Sequence, residues 1–111
     1  MFRSKRKKDV SISDIETQRG NLKEIIDGKL YDTSKAKEIA TVILGREEIP
    51  NYRFLAHSLC GQEVIIYKGN SEWFIVYHFV LQPVSEEWVK EKLGKCNVDK
   101  YIELFGEPEL A

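Results

Sequence analysis

The sequence predicts an α+β fold in which an antiparallel sheet of four or five strands carries about three helices on one face, in the order β-β-α-β-β-β-α-α. Three observations predict this fold. An Asp27-Gly28 pair lies between two short apolar segments, which is typical of a tight hairpin. Apolar runs of strand length, separated by glycine-containing turns, fill the middle of the chain. Two segments with helix-capping residues follow them.

The first predicted elements are the two strands of a hairpin, at residues 22–26 and 29–32. Asp-Gly favours a two-residue type I′ turn because both central residues of that turn need positive φ. The alternative is a helix over residues 21–26 with Gly28 at its C-cap. Upstream, Ile12 and Ile15 are one helical turn apart and indicate a short helix or an irregular lead-in over residues 11–19.

A helix is predicted next, over residues 34–44. Thr33 or Ser34 is a suitable N-cap, and Gly45 is a suitable C-cap. The apolar residues fall at helical spacing, namely Ala36, Ile39, Ala40, Ile43 and Leu44. Residues 46–51 are predicted to form a loop that contains Pro50.

Three more strands are predicted after this loop, at residues 52–59, 63–68 and 72–81. Gly61 separates the first two strands, and Gly69-Asn70 separates the last two. The apolar runs 64–67 and 73–80 do not alternate cleanly, which indicates strands in the middle of a sheet or strands with aromatic side chains on both faces. Gln82-Pro83 is predicted to end the sheet.

Two helices complete the prediction. Ser85 is an N-cap candidate, and Glu86 and Glu87 lie in the first turn, where the helix dipole favours negative charge. This helix carries Trp88, Val89 and Leu93 and is expected to stop at Gly94. A short helix over residues 98–105 is expected to begin after Asn97 and to end at Gly106.

Length and charge predict one folded domain over residues 11–111, preceded by a basic flexible tail over residues 1–10. The chain has 111 residues, of which 42% are hydrophobic, which suits a single core. Five of the 17 basic residues lie within the first eight positions. The rest of the chain has 12 basic and 18 acidic residues. The body of the protein, from Asp9 onward, is therefore acidic, with a net charge of −6.

No residue pattern points to catalysis, a cofactor or a metal site, and we predict that the protein is not an enzyme. The metal-ligand residue types His57, Cys60, His78 and Cys96 lack the paired spacing of a zinc site. On a regular strand His57 and Cys60 would point to opposite faces, which argues against a thiol–imidazole pair. The carboxylate pairs, Glu47-Glu48 and Glu86-Glu87, are adjacent in sequence and point apart.

The sequence also predicts a cytoplasmic location. No apolar run approaches the roughly 18 residues of a membrane span, and no apolar stretch follows the basic N-terminus as it would in a secretory signal. Two distant cysteines are more typical of free thiols than of a disulfide framework.

Two groups of residues are candidates for binding. The basic tail could attract nucleic-acid phosphates without sequence preference, through Arg3, Lys5, Arg6, Lys7 and Lys8. The alternative role of the tail is solubility. Aromatic and acidic residues could instead meet a basic protein partner, namely Trp73, Tyr77, Trp88, Glu86 and Glu87. For the aromatic residues, packing in the core is the alternative.

Two stretches resemble small proteins encoded by phages and conjugative elements of Gram-positive bacteria. The run DGKLYDTSKAKEIA at residues 27–40 is similar to their opening "nGK.YDTetA..iA", and YIELFGEPE at residues 101–109 is similar to their closing "eeyFGE.eE". GNSEWFI at residues 69–75 and QPVSEEWV at residues 82–89 are comparable to the "NG.wFl" and "PLT.eeA..WLe" segments between them. The turn pair is reversed here, and the relatives' glycine-rich loop between strands is absent.

Similar domains occur among anti-CRISPR proteins. The resemblance therefore implies a non-enzymatic accessory protein that binds a host or element-encoded protein, such as a nucleic-acid-binding defence nuclease, and inhibits it. The alternative is a nucleic-acid-binding accessory protein that uses the basic tail.

Overall fold

The structure, a computed structural model, describes residues 22–52 and 61–111. These residues form an α+β fold with a two-stranded hairpin, a four-stranded antiparallel sheet and two helices. The predicted tail at residues 1–10, the predicted lead-in at residues 11–19 and most of the predicted strand at residues 52–59 lie outside the described residues.

The predicted N-terminal hairpin is confirmed. Strand β1 (Lys23–Ile26) pairs with β2 (Lys29–Asp32), and Ile26 lies opposite Lys29 across the turn. Asp27 and Gly28 adopt φ values of 52° and 80°, the left-handed pair that a type I′ turn requires. The hairpin is extended by Thr33, whose N–H donates to the Leu22 carbonyl at 3.0 Å.

The predicted helix at residues 34–44 is wrong, because this segment forms strand β3 (Lys37–Leu44). The residues predicted as a helix N-cap lie in a single turn instead. In this turn the Asp32 carbonyl accepts from the Lys35 and Ala36 N–H groups. The β-branched residues Thr41, Val42 and Ile43 favour a strand. A bulge between Glu38 and Ala40 shifts the register, which places Ile39 and Ala40 on the same side and imitates helical spacing.

After β3 a 3-10 turn (Arg46–Glu48) leads into the loop, and strand β4 (Gln62–Lys68) follows as predicted. The predicted single strand at residues 72–81 is wrong, because it is a hairpin of β5 (Trp73–Tyr77) and β6 (Val80–Val84). His78 and Phe79 form its two-residue turn at φ values of 45° and 61°. Neither residue is typical of such turns, so the turn could not be recognised within the apolar run.

Gln82-Pro83 belongs to β6 and does not end the sheet before it. Pro83 is tolerated there because β6 is an edge strand of the order β3-β4-β5-β6. All three strand pairs of this sheet are antiparallel.

The two C-terminal helices are confirmed, with one adjusted boundary. Helix α1 (Glu86–Cys96) begins after Ser85, whose hydroxyl accepts from the Trp88 N–H, and it continues past Gly94. Helix α2 (Val98–Phe105) begins after Asn97 and ends at Gly106, as predicted. The described residues therefore hold two α-helices, not about three, in the order β-β-β-β-β-β-α-α.

The four-stranded sheet is the middle of three layers. One face packs on α1 and α2 through a core that includes Val64, Ile66, Ile75, Val89 and Leu93. The other face packs on the hairpin through Ile65, Tyr67, Phe74, Val76 and Tyr31. Both faces of β4 and β5 are buried, which explains why their sequences lack apolar–polar alternation.

Candidate functional site

The outer side of the hairpin carries an exposed apolar pair. Ile25 and Leu30 are opposite each other in the β1–β2 register, and their side chains are 72% and 55% exposed. Successive side chains of a strand alternate between its faces, so Ile26 and Tyr31 point to the opposite side. We call the outer pair Ile25 and Leu30, together with the backbone edges beside it, the hairpin surface.

The inner side of the hairpin is anchored on the sheet. Tyr31 is buried, and its ring meets Phe74 edge-to-face with 5.4 Å between the centroids. Phe74 in turn stacks on Tyr67 at 5.2 Å. Leu22 and Ile26 pack on the same cluster. The hairpin surface is therefore held on a rigid support.

A cleft of about 400 Å³ lies between β2 and the turn that joins β4 to β5. Its β2 wall contains all four residues of the strand and no residue of β1. A cleft on one face of a strand would contact alternate residues only, so this cleft runs along the edge of β2 that faces away from β1. Its other wall is formed by Gly69–Glu72 and Phe74, and Lys35 and Ala36 close one end. We call it the edge cleft.

Two of the four charged residues of the edge cleft form an ion pair with each other. Lys29 Nζ bridges the cleft to Glu72 Oε2 at 2.5 Å, and this hydrogen bond raises the pKa of Lys29. Burial, with a smaller contribution from the Glu72 charge, raises the pKa of Tyr31. The Ser34 hydroxyl donates to Asp32 Oδ1 at 2.7 Å and thereby lowers the pKa of Asp32. Lys35 forms no ion pair within the described residues, and its charge makes a smaller contribution to the lowering of the pKa of Asp32.

A second polar group fastens the loop after β3 to helix α1. Glu48 Oε1 accepts from Lys92 Nζ at 3.1 Å, and the Glu48 carbonyl accepts from Trp88 Nε1 at 3.1 Å. The Gly45 N–H, and then Lys92, lower the pKa of Glu48. Lys92 is buried and pairs with a carboxylate, which makes this a structural contact.

The predicted aromatic interface residues lie mainly in the core. Trp73 is 7% exposed, and Tyr77 is fully buried and stacks on Tyr52 at 5.3 Å. Tyr77 also donates its hydroxyl proton to Gln82 Oε1, and Gln82 donates to the Pro50 carbonyl. Trp88 is partly buried and committed to Glu48. Trp73 and Tyr77 therefore pack in the core, which was the alternative to an interface role.

The predicted acidic interface residues, Glu86 and Glu87, are exposed at the start of α1. Glu86 pairs with Lys90 at 3.3 Å one turn along the helix. The structure does not bring them to the hairpin, because α1 packs on the opposite face of the sheet. The predicted nucleic-acid residues Arg3, Lys5, Arg6, Lys7 and Lys8 lie outside the described residues.

Two of the four potential metal or nucleophile residues, His78 and Cys96, lie in the part of the chain that the structure describes. Cys96 is exposed at the end of α1 and His78 lies in the β5–β6 turn, whereas His57 and Cys60 lie outside the described residues. Within residues 22–52 and 61–111, no group of three or more His, Cys, Asp or Glu side chains could hold a metal ion.

Sequence reasoning missed Ile25 and Leu30, although the hairpin itself predicts them. Once Asp27-Gly28 sets the register, Ile25 and Ile26 must face opposite sides, as must Leu30 and Tyr31. One apolar pair therefore has to point away from the core. The pairing of Lys29 with Glu72 carried no such signal, because the two residues are 43 positions apart.

No known family, curated protein or solved structure matches the chain. In the described part of the chain, no helix has both the length and the apolar character needed to cross a membrane.

Proposed function

We propose that this chain is a non-enzymatic binding protein that docks through its hairpin surface onto another protein. The observation that carries the proposal is the exposed Ile25–Leu30 pair on a hairpin whose other side is anchored in the core. Leaving two large aliphatic side chains in water forfeits about 1.5–3 kcal/mol of burial energy for each, which binding to a partner would recover.

The surroundings of this pair support docking. Lys23 is exposed on the same face of the hairpin as Ile25 and Leu30, and Asp27 is exposed in the adjoining turn, so charged residues border the apolar pair. Protein interfaces commonly combine an apolar core with a polar rim. The rigid support keeps the entropic cost of ordering the surface low.

The resemblance to mobile-element proteins supports the identity of the partner. On this reading the partner is a host or element-encoded protein in the cytoplasm, and a nucleic-acid-binding defence nuclease is the specific candidate. Such a nuclease exposes basic surface, and the body of this chain has a net charge of −6. Opposite charges accelerate association, and Glu86 and Glu87 add to this attraction from the exposed start of α1.

A capture experiment with matched variants tests the proposal. Tagged wild-type protein, the Ile25→Asp/Leu30→Asp double variant and an Ile43→Asp control are incubated with lysate from a Gram-positive host. Ile43 is 58% exposed and lies on β3, outside the hairpin surface. We expect the hairpin variant to lose the partner and the control to retain it.

A phage-restriction assay measures the biological consequence in the same strains. Wild-type protein and the Ile43→Asp control should relieve restriction, and the hairpin variant should not. Absence of any captured partner together with unchanged restriction would contradict the proposal.

The second candidate function is nucleic-acid binding by the tail, supported by the five basic residues among the first eight. Deletion of residues 1–8 should then abolish retention of the protein on DNA or RNA at low salt, because retention would depend on phosphate contacts. Restriction activity that survives this deletion would favour docking through the hairpin.

A further inference from the structure

The edge of β2 that faces the edge cleft exposes unused backbone hydrogen-bonding groups. Thr33 and Leu22 form a hydrogen-bonded pair, and in an antiparallel ladder such pairs alternate with pairs that do not bond each other. The β1–β2 register therefore turns the N–H and C=O groups of Lys29 and Tyr31 toward β1, and those of Leu30 and Asp32 away from it.

Three of these outward groups lack a partner. The Asp32 carbonyl accepts from Lys35 and Ala36 at 3.1 and 3.0 Å. The Leu30 N–H, the Leu30 carbonyl and the Asp32 N–H have no hydrogen-bond partner in the described part of the chain. They lie along the wall of a cleft of about 400 Å³, a volume within the usual range of binding pockets.

We propose that the edge cleft binds an extended peptide segment of a partner protein, which adds to β2 as a further strand. This inference rests on the proposed function and specifies how the hairpin docks. The ligand backbone would bond to Leu30 in both directions and to the Asp32 N–H. Strand addition of this kind takes its affinity from main-chain hydrogen bonds and its specificity from alternate side chains.

The side chains around this edge of β2 indicate which side chains the bound peptide should carry. A residue opposite Leu30 continues the exposed Ile25–Leu30 row across the new strand, which favours an apolar side chain there. Lys35 lines the cleft and forms no ion pair within the described residues, although its charge acts on Asp32, whereas Lys29 is already paired with Glu72. An acidic residue on the peptide suits Lys35. The ligand is thus an extended segment with one apolar and one acidic residue.

Two proline variants isolate the backbone contribution. Leu30→Pro removes an outward N–H without removing a bond to β1, and proline is tolerated on such edges. Ile25→Pro makes the same change on the other edge of the hairpin, where no cleft residue lies. Leu30→Ala shortens the side chain and keeps the N–H. Circular dichroism checks that each full-length variant is folded.

The probe is a peptide selected from a library of random short peptides on the full-length wild-type protein. We expect Leu30→Pro to weaken its binding at least about tenfold, while Ile25→Pro stays within about twofold of wild type. Hydrogen exchange on the wild type should show new protection at the Leu30 and Asp32 amides and none at Ile25. That measurement decides the matter even if Leu30→Pro fails to fold.

Failure to recover any peptide, equal affinity for the two proline variants, or absence of new protection at Leu30 would overturn strand addition. The lysate experiment distinguishes failure of strand addition from failure of docking through the hairpin surface. If the partner is lost by Ile25→Asp/Leu30→Asp but kept by Leu30→Pro, the hairpin docks by its side chains alone. If no hairpin variant changes capture, the hairpin surface itself is not the docking site.

Discussion

At the scale of single residues, the carboxylate of Glu48 shows how one side chain serves several contacts. It accepts from the Gly45 N–H at 3.1 Å and from the buried ammonium of Lys92. Both contacts favour the ionised carboxylate, which is why the pKa of Glu48 is lowered. Their stabilisation is present above the pKa of Glu48 in the unfolded chain and is lost as the pH falls through the lower folded pKa.

Replacing Glu48 by Gln should therefore lower the free energy of unfolding by about 1 kcal/mol at neutral pH, because Lys92 loses its charged partner. The difference from wild type should shrink as the pH falls through the lowered pKa of Glu48, where the wild-type carboxylate becomes protonated. Denaturant unfolding at several pH values measures both effects. Glu47→Gln is the matched control, and a pH-independent difference for Glu48→Gln would contradict this account.

Phe79 has an unusual backbone conformation for a residue with a large side chain. Its φ of 61° lies in the left-handed region, which a side chain with a Cβ adopts at a cost of about 1–2 kcal/mol. Phe79→Gly removes the ring and the strain, whereas Phe79→Ala removes the ring alone. We expect the Gly variant to be more stable than the Ala variant by about 1 kcal/mol in thermal or denaturant unfolding, the reverse of the usual order. Equal stability, or a more stable Ala variant, would show that the turn relaxes at no cost.

At the scale of elements, β3 shows how tertiary contacts override a local pattern. Its apolar residues suit either a helix or a bulged strand, and the sheet decides between them. As a strand, β3 pairs with β4 along its whole length and places Val42 and Leu44 in the core against α1 and α2. The segment could not do both as a helix.

The N-cap of α1 stabilises this helix through a local hydrogen bond. Ser85→Ala removes the acceptor for the Trp88 N–H, which lies at 3.0 Å, and should destabilise the protein by about 1 kcal/mol. Ser85→Asp should restore most of the loss, because Asp is an equally good N-cap and its charge suits the helix N-terminus. Thermal unfolding of the two variants measures this, and an unchanged Ser85→Ala variant would argue against a role for the cap.

At the scale of the whole molecule, the three layers differ in how they are held. The four-stranded sheet is buried on both faces, whereas the hairpin contributes one apolar side and leaves Ile25 and Leu30 in solvent. Small two-stranded units are marginal without such support. The hairpin should therefore open more easily than the sheet.

Hydrogen exchange tests this difference in local stability. The ladder amides of β1 and β2 should exchange faster than those of Ile66 and Ile75 in the sheet centre. Tyr31→Ala removes the main anchor, at a cost of about 3 kcal/mol, and should accelerate exchange in the hairpin far more than at Ile75. Uniform acceleration over both layers would mean that hairpin and sheet unfold as one unit.

The elements whose signals are local could be predicted from the amino-acid sequence. Asp27-Gly28 supplied the positive φ values of the first turn, and Ser85, Asn97 and Gly106 set the caps of the two helices. These features depend on a residue and its nearest neighbours, so no distant contact has to be known.

Three features required contacts between distant parts of the chain. They are the strand conformation of residues 37–44, the division of residues 73–84 into two strands, and the edge cleft. Each depends on groups that are distant in sequence: β4 beside β3, the cores on both faces of β5, and Glu72 opposite Lys29. A local pattern of apolar residues does not distinguish a helix from a bulged strand here, because the bulge brings Ile39 and Ala40 to one side of the strand, as a helix would. The free energy gained by burying that face against another layer of the protein determines which of the two structures forms.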